Sequence, residues 1–203
     1  MPGALHPEIL DAISAAGFNF IEVVGTRDDL TPVGVALYVT QLYEQDGRHD
    51  VMISHDEPDL HSRINTEWER VAHECGLFSV AGDGRPEFLI GIDTSMNPSD
   101  EAEFRSYRWA RVSLCENWDI AGSGCESGLL GAGPNNPTFA MMSVQGDVVM
   151  VAGYWQIGIG FSIVSHPEQI VKLQEHAKRI ASYEHIETAQ RNWAERWVTR
   201  LSL

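Results

Sequence analysis

Six side chains between residues 49 and 61 are of the types that hold a metal: His49, Asp50, His55, Asp56, Asp59 and His61. Imidazole nitrogen and carboxylate oxygen suit zinc, manganese or iron. Their spacing matches no established ligand signature, and the plainer reading is a solvated acidic loop ahead of a helix, with Asp59 as its N-cap. His55 and Asp56 do follow a predicted strand, where open α/β sheets place their ligands. The leading expectation is therefore no cofactor. The alternative is a divalent metal on His55, Asp56, Asp59 and His61, supporting metal-assisted or general acid–base hydrolysis.

Cysteine and glycine offer two other chemistries. A cysteine nucleophile needs a neighbouring base and a lowered pKa. Nothing local supplies either to Cys115 or Cys125, and Cys75 in His73-Glu74-Cys75 reads, like Cys115, as a small buried hydrophobe. Cys125 stands apart because it lies in a glycine-rich stretch of the kind that exposes nucleophiles. Gly122-Ser123-Gly124 and Gly128 to Gly133 superficially resemble phosphate loops. They fit neither G-x-x-x-x-G-K-[ST] nor a G-x-G-x-x-G between strand and helix, so a flexible loop is expected.

Composition narrows the partners. With 14 basic against 29 acidic residues the net charge is −15, the wrong sign for displacing counterions from nucleic acid or binding an acidic membrane surface. A basic partner is allowed. The 203 residues, 43% hydrophobic and 21% charged, suit one folded domain with a substantial core. Three cysteines without C-x-x-C spacing, the absence of a secretory pattern in MPGALHPEIL and the lack of a long uninterrupted apolar tract give a cytoplasmic expectation.

The elements that must position these residues follow from periodicity. A short amphipathic helix spans His6 to Ala16 and a buried strand Phe18 to Val24. A helix capped by Asp28 or Asp29 covers Leu30 to Gln45, with Gly34 against it. A strand at Asp50–Ser54 and a strong helix at Leu60–Cys75, with Leu60, Ile64, Trp68, Val71 and Ala72 inward, come next. Strand-like pieces lie at Leu77–Val80 and Phe88–Ile92. Asp93 to Asp100 is loop-like, with a short helix to Arg105, and Trp109–Leu114 is a strand. Asn117 to Asn136, with five glycines, reads as a lid or binding loop. The apolar tract Pro134 to Val164 splits into three extended segments. A C-terminal helical pair over 166–203 closes the chain, with Ile170, Leu173, Ala177 and Ile180 on one stripe and Ile186, Ala189, Trp193 and Trp197 on the next. The rhythm of helix and strand predicts an α/β domain over 1–203, with a mixed central sheet flanked by helices.

Thr138 to Gly153, TFAMMSVQGDVVMVAG, resembles the strand-turn-strand of the phospholipase D superfamily, followed as there by a closing helix. The family's H-x-K-x4-D signature falls on Thr138, Ala140 and Gln145, none of the required type. Attack on phosphorus needs the imidazole, and holding the phosphate oxygens needs the lysine. The resemblance thus implies a related fold without the phosphodiester chemistry, and a surviving pocket at the strand ends lined by Gly25, Thr26, Ser54, His55, Thr138 and Gln145.

These readings converge on a non-catalytic, ligand-sensing or protein-interaction module. Its small-molecule ligand would be phosphorylated or sugar-like. A homodimer through the C-terminal helices is expected from Trp193 and Trp197, since tryptophan is enriched at interface cores. The competing classes are a hydrolase on the His55/Asp56/Asp59/His61 cluster under the glycine-rich lid, and an acidic phage or immunity-type protein that binds a host factor.

Overall fold

The apolar tract from Phe139 to Ser165, in which Asp147 is the one charged residue, forms three consecutive strands joined by tight turns, and the rest of the sheet grows from them. This is seen in a computed structural model that describes residues 5–80, 82, 84–94 and 106–201. In chain order the elements are α1 (Pro7–Ala15), β1 (Phe18–Gly25), α2 (Val33–Ala36), β2 (His49–Ser54), α3 (Leu60–Glu74), β3 (Ser79–Val80), β4 (Pro86–Asp93), β5 (Tyr107–Leu114), β6 (Phe139–Met142), β7 (Val148–Trp155), β8 (Gly158–Ser165), α4 (Val171–Ser182) and α5 (Thr188–Arg200). The chain is α/β with an eight-stranded sheet ordered β1-β5-β4-β6-β7-β8-β2, and β3 adds to β4.

Every described pairing is antiparallel. The mixed sheet expected from alternating helices and strands is therefore corrected. β1 and β2 do run the same way, but they lie six antiparallel steps apart, on opposite edges. The chain between them crosses the sheet instead of laying one strand beside the other.

Strand alternation sorts side chains onto two faces. Phe88, Ile90, Val112, Met141, Met150 and Phe161 pack with Ile13 of α1 and Ile64 and Trp68 of α3. Leu89, Trp109, Met142, Val149 and Val151 pack with Val33, Leu173, Ala177, Trp193 and Trp197. Each large apolar side chain buried this way contributes about 1.5–3 kcal/mol. Trp193 and Trp197 are completely buried, so they offer no surface for the dimer contact expected from them. Their indoles serve the core. Trp193 also donates from Nε1 to the Arg27 carbonyl, 2.9 Å away.

Local chemistry explains the element ends. Pro7 opens α1, where its missing N–H costs nothing. Gly76, at φ +77°, closes α3, and the Leu77 N–H reaches back to the Ala72 carbonyl at 2.9 Å. The helix expected over Leu30–Gln45 is one α-turn from Val33 that tightens into 3-10 geometry over Leu37–Gln41. Its N-cap is Pro32 without a side-chain bond, not Asp28 or Asp29. Gly34 and the β-branched Val33, Val35, Val39 and Thr40 leave too little helix propensity for more. β1 is an edge strand and not a buried one, with Phe20 37% and Ile21 40% exposed. The helix expected to end at Arg105 lies outside the described residues. No described helix is long and apolar enough to cross a membrane.

Candidate functional site

The histidines and carboxylates between residues 49 and 61 disperse. His55 donates from Nε2 to the Trp155 carbonyl at 2.8 Å, and its ring lies 4.5 Å from that of Tyr154. Asp50 accepts from Arg48 at 2.8 Å and from Ser162 at 2.7 Å. Asp56 and Asp59 are exposed, and Asp59 sits at the start of α3 in a left-handed conformation with no side-chain cap. His61 turns the other way, its Nε2 3.0 Å from Asp119 Oδ1. Among the described residues no three His, Cys, Asp or Glu side chains are placed to hold a metal.

The glycine-rich stretch is a packed corner and not a loose lid. Asp119 caps a π-turn over Ile120–Gly124, accepting from the Gly122 N–H at 2.9 Å and the Ser123 N–H at 3.1 Å. Asn65 of α3 donates to the same carboxylate at 2.8 Å and accepts from the Ala121 N–H at 2.9 Å. Cys125 inside the corner is fully buried, and burial pushes its thiol up to about 12. It therefore has no thiolate to offer at neutral pH. His61, in the first turn of α3 just after the acidic loop, thus meets the glycine-rich segment at Asp119.

Burial pushes the Asp119 carboxyl up. The bonds from Asn65, Gly122 and Ser123, together with His61, outweigh it and leave the group below its ordinary value. A depressed folded-state carboxyl stabilises the fold above its unfolded pKa, and that share is lost as pH falls through the folded value. Asp119→Asn should accordingly cost about 1–3 kcal/mol at pH 7 in denaturant titrations. The gap to the parent should narrow below about pH 4. A constant gap from pH 7 to pH 3 would show that the charge is irrelevant.

The six strand-end positions expected to form one pocket are also separated. Gly25 and Thr26 end β1, where Arg196 of α5 donates to Thr26 Oγ1 at 3.2 Å. Ser54 and His55 end β2 on the opposite edge, about 29 Å away at the usual strand spacing. Gln145 lies in the β6–β7 turn, at the other end of β6 from Thr138, and accepts from Ser79 at 2.7 Å. Thr138, without the other five, borders a space of about 580 Å³ between α1, the end of β4, the start of β6 and Ser127–Leu129.

A different cluster gathers at the β2 edge. Met52, Tyr154 and Ile157 are 46%, 53% and 77% exposed and Trp155 is half-buried; Met52 and Trp155 share one face of the sheet, and Tyr154, against His55, lies on the other. Gly153 and Gly160 face each other across β7 and β8, and Gly160 also faces Met52 of β2. The Trp155 indole lies over this glycine pair, since a Cβ at Gly160 would overlap its ring and one at Gly153 would stand 3.2 Å from Cζ2. Two glycines side by side in a sheet give up propensity and packing. What they provide here is a flat seat for an indole at the molecular surface.

The cluster has a charged border. Asp56, Glu57 and Asp59 are exposed beside it, and no Lys or Arg occurs between Arg48 and Arg63. From Val148 to Ser165 the β7–β8 hairpin carries no charge at all. β1 is blunted by two register shifts, whereas β2 pairs six residues with β8 without one, leaving a regular outer edge. Sequence reasoning singled out His55 and the acidic loop but not Met52, Tyr154, Trp155 or Ile157. The detectable signal was Gly158-Ile159-Gly160, two glycines on one face of a strand.

Compared with protein-family models, with curated proteins and with solved structures, the chain matches none.

Proposed function

We propose that this protein is a non-catalytic interaction module whose β2 and β7–β8 edge docks onto a basic surface of another protein. The observation that carries the reading is Trp155, held flat on Gly153 and Gly160 with Met52 beside it over Gly160, exposed Ile157 in the adjoining turn and exposed Tyr154 on the other face of the same edge. Tryptophan, tyrosine and methionine are the side chains enriched at interface centres, and a few such anchors supply most of the binding energy. Asp56, Glu57 and Asp59 then form a rim that favours a positive partner. A second copy of this chain would bring the same carboxylates against them. Like-charge contact and a net charge of −15 on each copy disfavour that pairing.

A photo-crosslinking amino acid at Ile157 tests this in the cells that make the protein, with the same probe at exposed Glu184 as the control. The expected result is one dominant adduct at Ile157, absent at Glu184, to a protein of net positive charge. The purified pair should bind, and binding should weaken as salt rises. Equal adducts at both positions, an adduct to a second copy of this chain, or a partner with an acidic surface would sink the reading.

A further inference from the structure

We propose that the outer edge of β2 takes up an extended segment of the docking partner as one further antiparallel strand, with basic residues just ahead of that segment. The inference rests on the docking reading above and names how the partner is held. β2 ends the sheet, paired on one side with β8 over His49–Ser54. In an antiparallel pair alternate residues turn their N–H and C=O groups away from the neighbouring strand. From His49 to Ile53 no described residue bonds the outward-facing backbone groups. They form a template for another strand.

Such edges are ordinarily blunted by lysine, proline or a bulge, and β2 has none of the three. β1, at the opposite edge, is broken by two register shifts, and β3 is two residues long. The six residues of β2 offer about 20 Å of regular edge, enough for a six-residue segment. Val51 and Ile53 pair with Phe161 and Ile159 on the α3 face, whereas Met52 lies on the Trp155 face. An added strand would set alternate side chains beside half-buried Val51 and exposed Met52, one on each face. Backbone bonds then supply affinity, and the flanking side chains supply selectivity.

Charge fixes the direction. Exposed Asp56, Glu57 and Asp59 follow the C-terminal end of β2. Beside a strand running antiparallel, that end meets the residues that precede the extended segment. Lysine or arginine there would face carboxylates, whereas the reverse order would carry them toward Arg48. The chain's own run ahead of β2, Tyr43 to Arg48, holds Glu44 and Asp46 against one arginine, so β2 of a second copy does not meet this requirement.

The test titrates the isotope-labelled full chain with the peptide KRKTVTVTV, its reversed form VTVTVTKRK, and KRKTVTVTV N-methylated at every Thr and Val. KRKTVTVTV should bind saturably at about millimolar or better and shift the amide signals of His49–Ser54. It should slow hydrogen exchange along β2 at saturation, because the outward amides become bonded. VTVTVTKRK should bind at least about fivefold more weakly. The methylated peptide keeps the charges but loses the donors, and it should leave exchange along β2 unchanged. Asp56→Lys combined with Glu57→Lys, both at exposed positions, should weaken KRKTVTVTV about tenfold without moving the melting curve. Unchanged exchange with KRKTVTVTV, equal protection by the methylated peptide, or equal affinity for the two orders would overturn the proposal. So would a dimer of the chain alone in sedimentation with the β2 amides already protected, since a second copy would then fill the edge. The crosslink at Ile157 does not depend on strand pairing, so a basic partner trapped there despite failure of the peptides would leave the docking reading standing.

Discussion

Trp68→Ala should destabilise the protein by about 3–5 kcal/mol, the range for removing a fully buried indole and leaving a cavity. Trp68 is completely buried and touches several separate parts of the chain. Its ring lies 5.6 Å from Phe78, 6.0 Å from Phe88 and 5.0 Å from Trp118 between centroids. Its Nε1 donates to Met141 Sδ at 3.3 Å. One side chain thus fastens α3 to β4, β6 and the segment that enters the glycine-rich corner. At about 2–4 °C per kcal/mol for a chain of this size, the melting temperature should fall by roughly 6–20 °C. Trp68→Phe keeps most of the apolar volume and should lose less than half as much, about 1–2 kcal/mol. Equal losses in the two variants would mean that the indole N–H, and not packing, is what the site requires.

That concentration of contacts also shows what local sequence can and cannot disclose. The stripe Ile64, Trp68, Val71 and Ala72 is visible at helical spacing, and α3 forms where it predicts. The three strands within Pro134–Val164 are equally legible, because tight turns break a continuous apolar run into lengths that suit strands. Nothing in the stripe says that Trp68 will meet Trp118, 50 positions later. Sheet direction was lost for a related reason. The helix–strand rhythm is the same whether a connection joins neighbouring strands or carries the chain from one edge of the sheet to the other, as between β1 and β2. The rhythm counts elements and does not place them.

Glycine misled in a more specific way. Five glycines between residues 117 and 136 read as flexibility, since glycine frees the backbone. At Gly131, however, a Cβ would overlap the Asn136 carbonyl, and at Gly122 it would collide with Asp119 and stand 2.6 Å from His61. These positions need glycine because the chain passes close to itself. Composition is the same for a loop that moves and a corner packed this tightly, so only the folded contacts separate them. Residue types can be read directly along the chain, but which of them come together depends on such contacts. His55 and His61 are six residues apart and face different partners.

The same steric reasoning makes the β2 edge testable without deleting any of its aromatic residues. Gly160→Ala should drive the Trp155 indole off the sheet, because the added methyl would occupy the ring's place and stand 2.7 Å from Met52 Sδ. Gly160 is not at a positive φ, so alanine fits the backbone. The propensity gained in a strand, about 0.5–1 kcal/mol, partly offsets the lost indole contact. Overall stability should stay within about 2 kcal/mol of the parent. Affinity for the partner trapped at Ile157, by contrast, should fall at least about 30-fold, the loss expected when a hot-spot tryptophan is misplaced by about 2 kcal/mol. Gly153→Ala adds a methyl 3.2 Å from Cζ2, a distance that a small shift of the ring can absorb, so its affinity should drop only a fewfold. Fluorescence measured against a Trp155→Phe background should report a red-shifted Trp155 in Gly160→Ala and a nearly unchanged one in Gly153→Ala. If Gly160→Ala showed the displaced indole and still bound with parental affinity, Trp155 could not be the anchor. Binding would then have to rest on the acidic rim alone.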